Sequence, residues 1–316
     1  MNINLKTLPA SQKQLLSTFS GLFALGLAFT LLSPYFFSPN NLLTVATQTA
    51  VIAIIAIGQT YVLITGGIDL AIGSNMALAG MFAALCMRAG VPVPLAVLAG
   101  AATGVVSGAA SGALIAYAKI PPFIATLGLM TVCRGIALTV TGAIPVSNLP
   151  KSFTVWGTGD TLGIPNPVIS MVLLTAVFGF ILGKTKLGRH IYATGSNYEA
   201  ARLSGINTKH TLMAVYMFSG FLAAIAGLIM AARIISAQPS AGDGYELDAV
   251  ASSVIGGTST MGGEGAVAGT FIGAFVIGVL RNGLNLIGVS PFIQKIVIGV
   301  VIVASVFLDK VQRKND

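Results

Sequence analysis

The stretch QLLSTFSGLFALGLAFTLLSPYFFSPNNLLTVATQTAVIAIIAIGQTYVLITGGI, residues 14–68, contains no charged side chain. A membrane span takes about 20 mostly apolar residues. This run therefore holds two, and Ser33–Asn41 (SPYFFSPNN) supplies the turn between them. Working outward, residues 89–118, 161–183 and 211–232 are also free of charge, and shorter uncharged runs fill much of the rest. Breaks at Gly, Pro and charged residues divide the chain into ten segments, roughly 15–36, 42–64, 70–87, 93–118, 124–142, 166–183, 211–232, 248–262, 266–287 and 291–308. All are expected to be helices, because backbone in lipid must satisfy its own hydrogen bonds. The eighth is the weakest. Its centre, SSVIGGTSTMGG, suits a broken or re-entrant element. The expected fold is an all-α polytopic membrane protein of about ten transmembrane helices.

Composition agrees. Of 316 residues, 55% are apolar and 8% are Asp, Glu, Lys or Arg, against about 25% charged in soluble domains. Mean hydropathy is +0.89. An ordinary soluble enzyme, a disordered chain and a disulfide scaffold are excluded. The two cysteines, Cys86 and Cys133, lie in apolar stretches and form neither a disulfide framework nor a zinc site. The net charge of +8 points to anionic lipid and membrane topology, not to nucleic acid. A signal-peptide reading of the first segment is set aside, because the apolar stretch continues without a short core ended by a small-x-small site.

Lys and Arg set the expected orientation. With the N-terminus inside, inner loops hold Lys6, Lys13, Lys119, Lys184, Lys186, Arg189, Arg202, Lys209, Lys310, Arg313 and Lys314, while outer loops hold Arg88, Lys151 and Arg233. This is a positive-inside bias with both termini cytoplasmic. Asp243, Glu246 and Asp248 then fall outside, as does the 143–165 loop, whose Trp156 is read as an interfacial anchor.

No linker divides residues 1–316, which are read as a single membrane domain with a cytoplasmic loop at 184–210. VLITGGIDLAIGSNMALAG (62–80) echoes SSVIGGTSTMGGEGAVAGT (252–270), as a parallel internal repeat would. Gly100, Gly104, Gly108 and Gly112 recur every fourth residue, as do Gly265, Gly269 and Gly273. Such stripes let helix backbones approach closely. Static packing is the preferred reading, and a moving or dimerising seam the alternative.

Catalysis finds no support. His190 and His210 lack partners at metal-ligand spacing, no G-x-S-x-G occurs, and the glycine-rich Gly257–Gly265 lacks the lysine of a phosphate loop. The chain is not expected to hydrolyse ATP by itself or to hold a metal or cofactor. A proton- or sodium-driven carrier usually keeps carboxylates near the bilayer midplane. Here Asp69, Glu264 and Asp309 fall at predicted inner ends, and no Asp or Glu falls mid-span. The mid-span charges are Arg134 and Arg281, with Lys295 nearer the outer end. A central Arg costs about 2.5–3.5 kcal/mol on insertion scales, so both should face protein or water. They either line a substrate route or hydrogen-bond carbonyls for structure. Asp69, Gln59, Asn282 and Asn285 join them as candidates for a route or gate. The three amides suit a hydroxylated, uncharged substrate and equally suit helix–helix hydrogen bonds.

The loop KTKLGRHIYATGSNYEAARLSGINTKH (184–210) carries a short helix signature. Ser196 or Asn197 can cap it, Glu199 sits near the positive dipole end, and Gly205 suits its stop.

Within that loop, Glu199-Ala200-Ala201-x-x-x-Gly205 resembles the core of the EAA motif of ABC importer permeases, where the loop docks on an ATP-binding subunit. The I-x-L-P tail of that motif is missing, its place reading Val215-Tyr216-Met217-Phe218. A wider resemblance covers most of the chain. TGGIDLAIGS (65–74), PPFIATLGLMTVCRG (121–135), GRHIYATGSNYEAARLSGI (188–206), SAQPSAGDGYELDAVASSVIGGTSTMGGEGAVAGT (236–270) and NGLNLIGVSPF (282–292) are similar, in order and spacing, to the ribose-type permeases of bacterial ABC importers. Arg281 departs from that pattern, which more often has Asn before NGLNL. The resemblance implies a permease, usually a homodimer, in the bacterial cytoplasmic membrane. Its partners would be an ATPase carrying two ABC domains, which would hold ATP and Mg, and an extracytoplasmic sugar-binding protein. Asn197, Glu199, Ala200, Ala201, Arg202 and Gly205 would couple permease to ATPase. The cargo would be ribose, another pentose or hexose, a polyol or a furanose-type signal molecule. A stand-alone secondary carrier or facilitator, and a membrane receptor or structural subunit, are the other classes considered.

Overall fold

A computed structural model describes residues 10–314. Lys6 lies outside the described residues, as do the side chains of Lys13, Asp309, Lys310, Arg313 and Lys314. Each of the ten expected segments coincides with a helix: α1 (Ala10–Leu32), α2 (Pro39–Ile64), α3 (Ile72–Arg88), α4 (Val93–Ala116), α5 (Pro122–Thr139), α7 (Asn166–Lys184), α10 (Thr208–Arg233), α11 (Tyr245–Ile255), α12 (Val267–Leu286) and α13 (Pro291–Lys314). Seven of them (α1, α2, α4, α5, α7, α10 and α12) are long and apolar enough to cross a membrane, and α3 and the start of α13 are shorter apolar helices.

Proline at the first turn starts α2, α4, α5 and α7, where its missing N–H costs nothing. The 143–165 loop holds more than expected. It contains α6 (Lys151–Thr158) and three two-residue strands, β1 (Val146–Ser147), β2 (Asp160–Thr161) and β3 (Ile164–Pro165). β2 pairs with β3, and β1 pairs antiparallel with β4 (Ser236–Ala237) through Val146↔Ala237 and Ser147↔Ser236. The loop after α5 is thereby tied to the loop after α10. Trp156 is a half-buried packing residue whose Nε1 donates to Ser170 Oγ at 3.0 Å.

α2 and α10 form the centre. Residues 49–64 of α2 are buried without interruption, which explains why that run is apolar on every face. α10 packs on α2, α3 and α4; α12 and α11 cover another side of α2; α1 lies on α12. The glycine stripes are the packing seams. An added Cβ at Gly104 would collide with the Gly220 carbonyl, one at Gly108 with the Tyr216 carbonyl, and one at Gly273 with the Ser252 carbonyl. Gly104 and Gly108 on α4 and Gly269 and Gly273 on α12 are close packing contacts, while Gly265 lies in the stretch before α12 and not on its face.

Two irregular stretches interrupt the helices. Residues 65–71 separate α2 from α3, and residues 256–266 separate α11 from α12. The two halves of the sequence echo thus share one form, a helix, a glycine-bearing break and a new helix. The eighth segment is the broken element expected of it, helical only to Ile255.

Gly104→Val should cost about 1–3 kcal/mol through overpacking. Gly26→Ala, with nothing within 4 Å of the new methyl, should be neutral or stabilising. Thermal unfolding in detergent, followed by gel filtration, measures both.

Candidate functional site

The 184–210 loop folds into two helices, α8 (Lys186–Ser196) and α9 (Tyr198–Leu203). A chain of side-chain caps builds it. Thr185 accepts from Gly188 N–H at 3.3 Å, Asn197 from Ala200 N–H at 2.9 Å, and Asn207 from His210 N–H at 3.1 Å. Each satisfies one of the orphan donors of a helix start. Asn197, not Ser196, is the cap of α9, and Glu199 stands in its first turn. Gly205 follows the C-cap with φ +84°, a left-handed conformation that favours glycine.

α9 shows a two-sided surface. Ala201 is buried, whereas Ala200, Glu199 and Arg202 are exposed. Glu199 and Arg202 form an ion pair at 2.8 Å, which on an exposed surface contributes about 0.3–0.5 kcal/mol. Leu203, 78% exposed, and Tyr198 present apolar surface beside them. Of the six residues expected to dock, Glu199, Ala200, Ala201 and Arg202 lie in α9 and Asn197 and Gly205 flank it, with Ala201 turned inward.

Behind α9, the end of α8 is pressed into both helix breaks. Gly263 N–H donates to the Ile64 carbonyl at 2.9 Å, joining break to break. Tyr192 Oη donates to the Gly265 carbonyl at 2.6 Å. A Cβ at Gly195 would strike the Ile64 carbonyl and stand 2.9 Å from Gly263 N, and one at Gly263 would stand 3.4 Å from Ser196 Cβ. Sequence reasoning missed this seam and the helix α8. The signal for the seam was the repeated Gly-Gly at 66–67 and 262–263, and the signal for α8 was Thr185 as a cap before Leu187 and Ile191 at four-residue spacing.

The expected route or gate residues do not form one site. Asn282 Nδ2 donates to Asn41 Oδ1 and Asn41 Nδ2 to Asn282 Oδ1, both at 3.0 Å, clamping α12 to the start of α2. Asn285 accepts from Gln294 at 3.3 Å and braces α13. Gln59 is fully buried in α2, with no hydrogen bond to either amide atom among the described residues. Arg134 donates through Nη1 to the carbonyls of Pro239 at 2.6 Å and Ala241 at 2.8 Å.

Two expectations about carboxylates need correction. Asp69 stands two residues before the Ala71 cap of α3, but not at the edge of the bundle. The break carries it back into the bundle, where it is 1% exposed and accepts from Ser219 Oγ at 2.7 Å and Ala71 N–H at 2.9 Å. Ser219 lies near the middle of α10, so a carboxylate does sit deep among the spans. Asp248 is not an outer-loop charge either. It is 1% exposed in α11 and pairs with Arg281 at 2.5 Å. Arg281 also faces the Tyr245 ring, 5.6 Å from its centroid. The departure of Arg281 from the resembled pattern is thus a local structural pairing. Among the described residues, no three of His, Cys, Asp and Glu gather as metal ligands would.

A glycine-seamed bundle of apolar helices with a capped, exposed loop helix defines a polytopic membrane protein. The family described as branched-chain amino acid transport system/permease component matches residues 41–306, and the chain belongs to it. It is similar to the ribose import permease protein RbsC of Bacillus subtilis, 45% identical over 299 residues that cover 94% of this chain and 93% of that one. The D-allose transport system permease protein AlsC of Escherichia coli is 38% identical over 288 residues, 90% of this chain and 88% of AlsC. The xylose transport system permease protein XylH of Escherichia coli is 35% identical over 342 residues, covering 89% and 87%. No solved structure matches the chain.

Removing one partner of the Asp248–Arg281 pair should be costly, because the other charge is left buried alone. Arg281→Met should lower stability by about 3 kcal/mol, and Asp248→Leu combined with it should restore most of the loss. Thermal melts of the single and double variants check this.

Proposed function

We propose that the chain is the permease subunit of a binding-protein-dependent ABC importer that carries a monosaccharide inward. The names of its relatives supply the cargo class, since RbsC, AlsC and XylH are called ribose, D-allose and xylose permeases. The family's own description names branched-chain amino acids, so the cargo rests on those relatives and not on the family. The sugar within the class is left open by them.

The observation that carries the reading is the projecting α9, with Tyr198 and Leu203 exposed and its stem seated on both helix breaks. A partner ATPase with two ABC domains, holding ATP and Mg, would dock there. Its movement would reach α3 and α12 through the breaks and drive alternating access. An extracytoplasmic sugar-binding protein would deliver cargo to the other face, and a second permease copy would complete the pathway. In this reading all ten segments span the bacterial cytoplasmic membrane, α11 with its break counting as one, both termini are cytoplasmic, and residues 1–316 act as one domain. The Lys and Arg bias of the loops supports that orientation.

One observation favours a second reading. Asp69, buried mid-bundle without a cation beside it among the described residues, is what a proton-coupled stand-alone carrier would keep. Proteoliposomes separate the two. ATP-dependent uptake that needs both partner proteins supports the importer, and uptake by this chain alone supports the carrier.

Gly205→Val tests the docking assignment. The new side chain meets nothing within 4 Å, so its cost is the left-handed backbone, about 1–2 kcal/mol. The variant should insert normally yet lose most ATP-dependent uptake. Wild-type uptake rates in Gly205→Val would remove α9 from the coupling route.

A further inference from the structure

Helix α5 presents an unusual face. Gly128, Thr131, Gly135 and Leu138 are exposed and follow one another at three- and four-residue spacing, so they share one side. A Cβ at Gly128 or Gly135 would meet nothing within 4 Å. Faces suited to lipid look different here: α13 exposes Ile296, Val300, Val303 and Phe307. Beside the α5 face lies a cleft of about 370 Å³ whose lining includes Thr131, Arg134, Asp243 and Glu246. A cleft with three ionisable groups cannot face hydrocarbon cheaply. It faces water or protein.

We propose that this cleft is a monosaccharide subsite on the outer half of the transport route, a proposal that rests on the sugar-importer reading. Arg134 is held from one side only, by the Pro239 and Ala241 carbonyls on Nη1. Among the described residues its Nε and Nη2 make no hydrogen bond, and neither Asp243 nor Glu246 comes within 4.0 Å to form an ion pair with it. Both carboxylates are nonetheless within its electrostatic reach. Donors and acceptors thus face one another across an open gap. A hydroxyl both donates and accepts, so a vicinal diol can bridge guanidinium and carboxylate at once. An anion would meet two carboxylates, and a cation would meet the guanidinium. A neutral polyhydroxylated ligand satisfies all three. The volume falls within the range of about 300–1,000 Å³ that small-molecule sites take.

The carboxylates are also firmly mounted. Gly73, in the first turn of α3, packs against the Gly242 carbonyl and the Glu246 carboxylate with no room for a side chain. The loop that carries Asp243 and Glu246 therefore rests on the helix that follows the first break. A shift of that break would move this wall of the cleft.

The test uses the transporter assembled with its ATPase and binding protein in proteoliposomes. Asp243→Asn and Glu246→Gln each remove a charged acceptor, and hydrogen bonds to charged groups contribute about 1.5–3 kcal/mol, so D-ribose uptake should fall about tenfold or more. The ratio of D-ribose to D-allose uptake should change as well. Unchanged rate and unchanged ratio in both variants would overturn the subsite. Should the variants fail to assemble, Thr131→Cys gives a second measurement. D-ribose should slow its modification by a water-soluble thiol reagent, and equal rates with and without the sugar would overturn the proposal. The importer reading fails separately, if the wild-type chain moves sugar with neither partner present. Protection of Thr131→Cys by D-ribose would still stand in that case.

Discussion

Backbone N–H and C=O groups that leave a helix inside a membrane must find other partners, because no water is there to take them. This chain leaves its helices twice inside the bundle, at residues 65–71 and 256–266. Much of the structure follows from how those groups are satisfied. The first break places its Ile68 carbonyl on Thr126 Oγ1 at 3.1 Å and turns Asp69 onto Ser219 and Ala71. The second folds on itself, with Ser259 N–H donating to the Glu264 carbonyl at 3.0 Å. The two then join through Gly263 and Ile64, and Tyr192 of the docking loop closes the junction. Glycine is required at the junction because the backbones touch.

The same economy governs the charges. Asp248 and Arg281 neutralise each other, Arg134 binds two carbonyls, and Asn41 and Asn282 exchange amide hydrogen bonds. These groups fix α2 and α11 to α12, and α5 to the loop before α11. Asp69 and Gln59 are different: one is a buried carboxylate with only neutral partners, the other a buried amide with none among the described residues. On the proposed reading they lie where the first break meets the central helices, and they are the polar groups most exposed to any shift of that break.

Much of the helical architecture was legible in the sequence. A charge-free run such as 93–118 ends within two residues of α4, because hydrophobic length and a following Lys119 are local signals. The short helix in the 184–210 loop was legible too, since Asn197, Glu199 and Gly205 carry cap chemistry that acts over three or four residues. Asp69 was misread because its position depends on how the non-helical residues 65–71 enter the bundle, which leaves no periodicity. Asp248 was misread because its partner lies 33 residues away. α6 and α8 were missed because they are short, and neither has the long apolar run that revealed the spans.

The central claim is that the docking loop and the two helix breaks move as one body. It can be tested by removing the Tyr192 hydroxyl, whose hydrogen bond to the Gly265 carbonyl ties the loop to the second break. ATP-driven sugar uptake should fall severalfold in Tyr192→Phe, while the ATPase still comes down with the permease in a pull-down. Wild-type uptake in that variant would mean that loop and breaks move independently, and the account would be wrong.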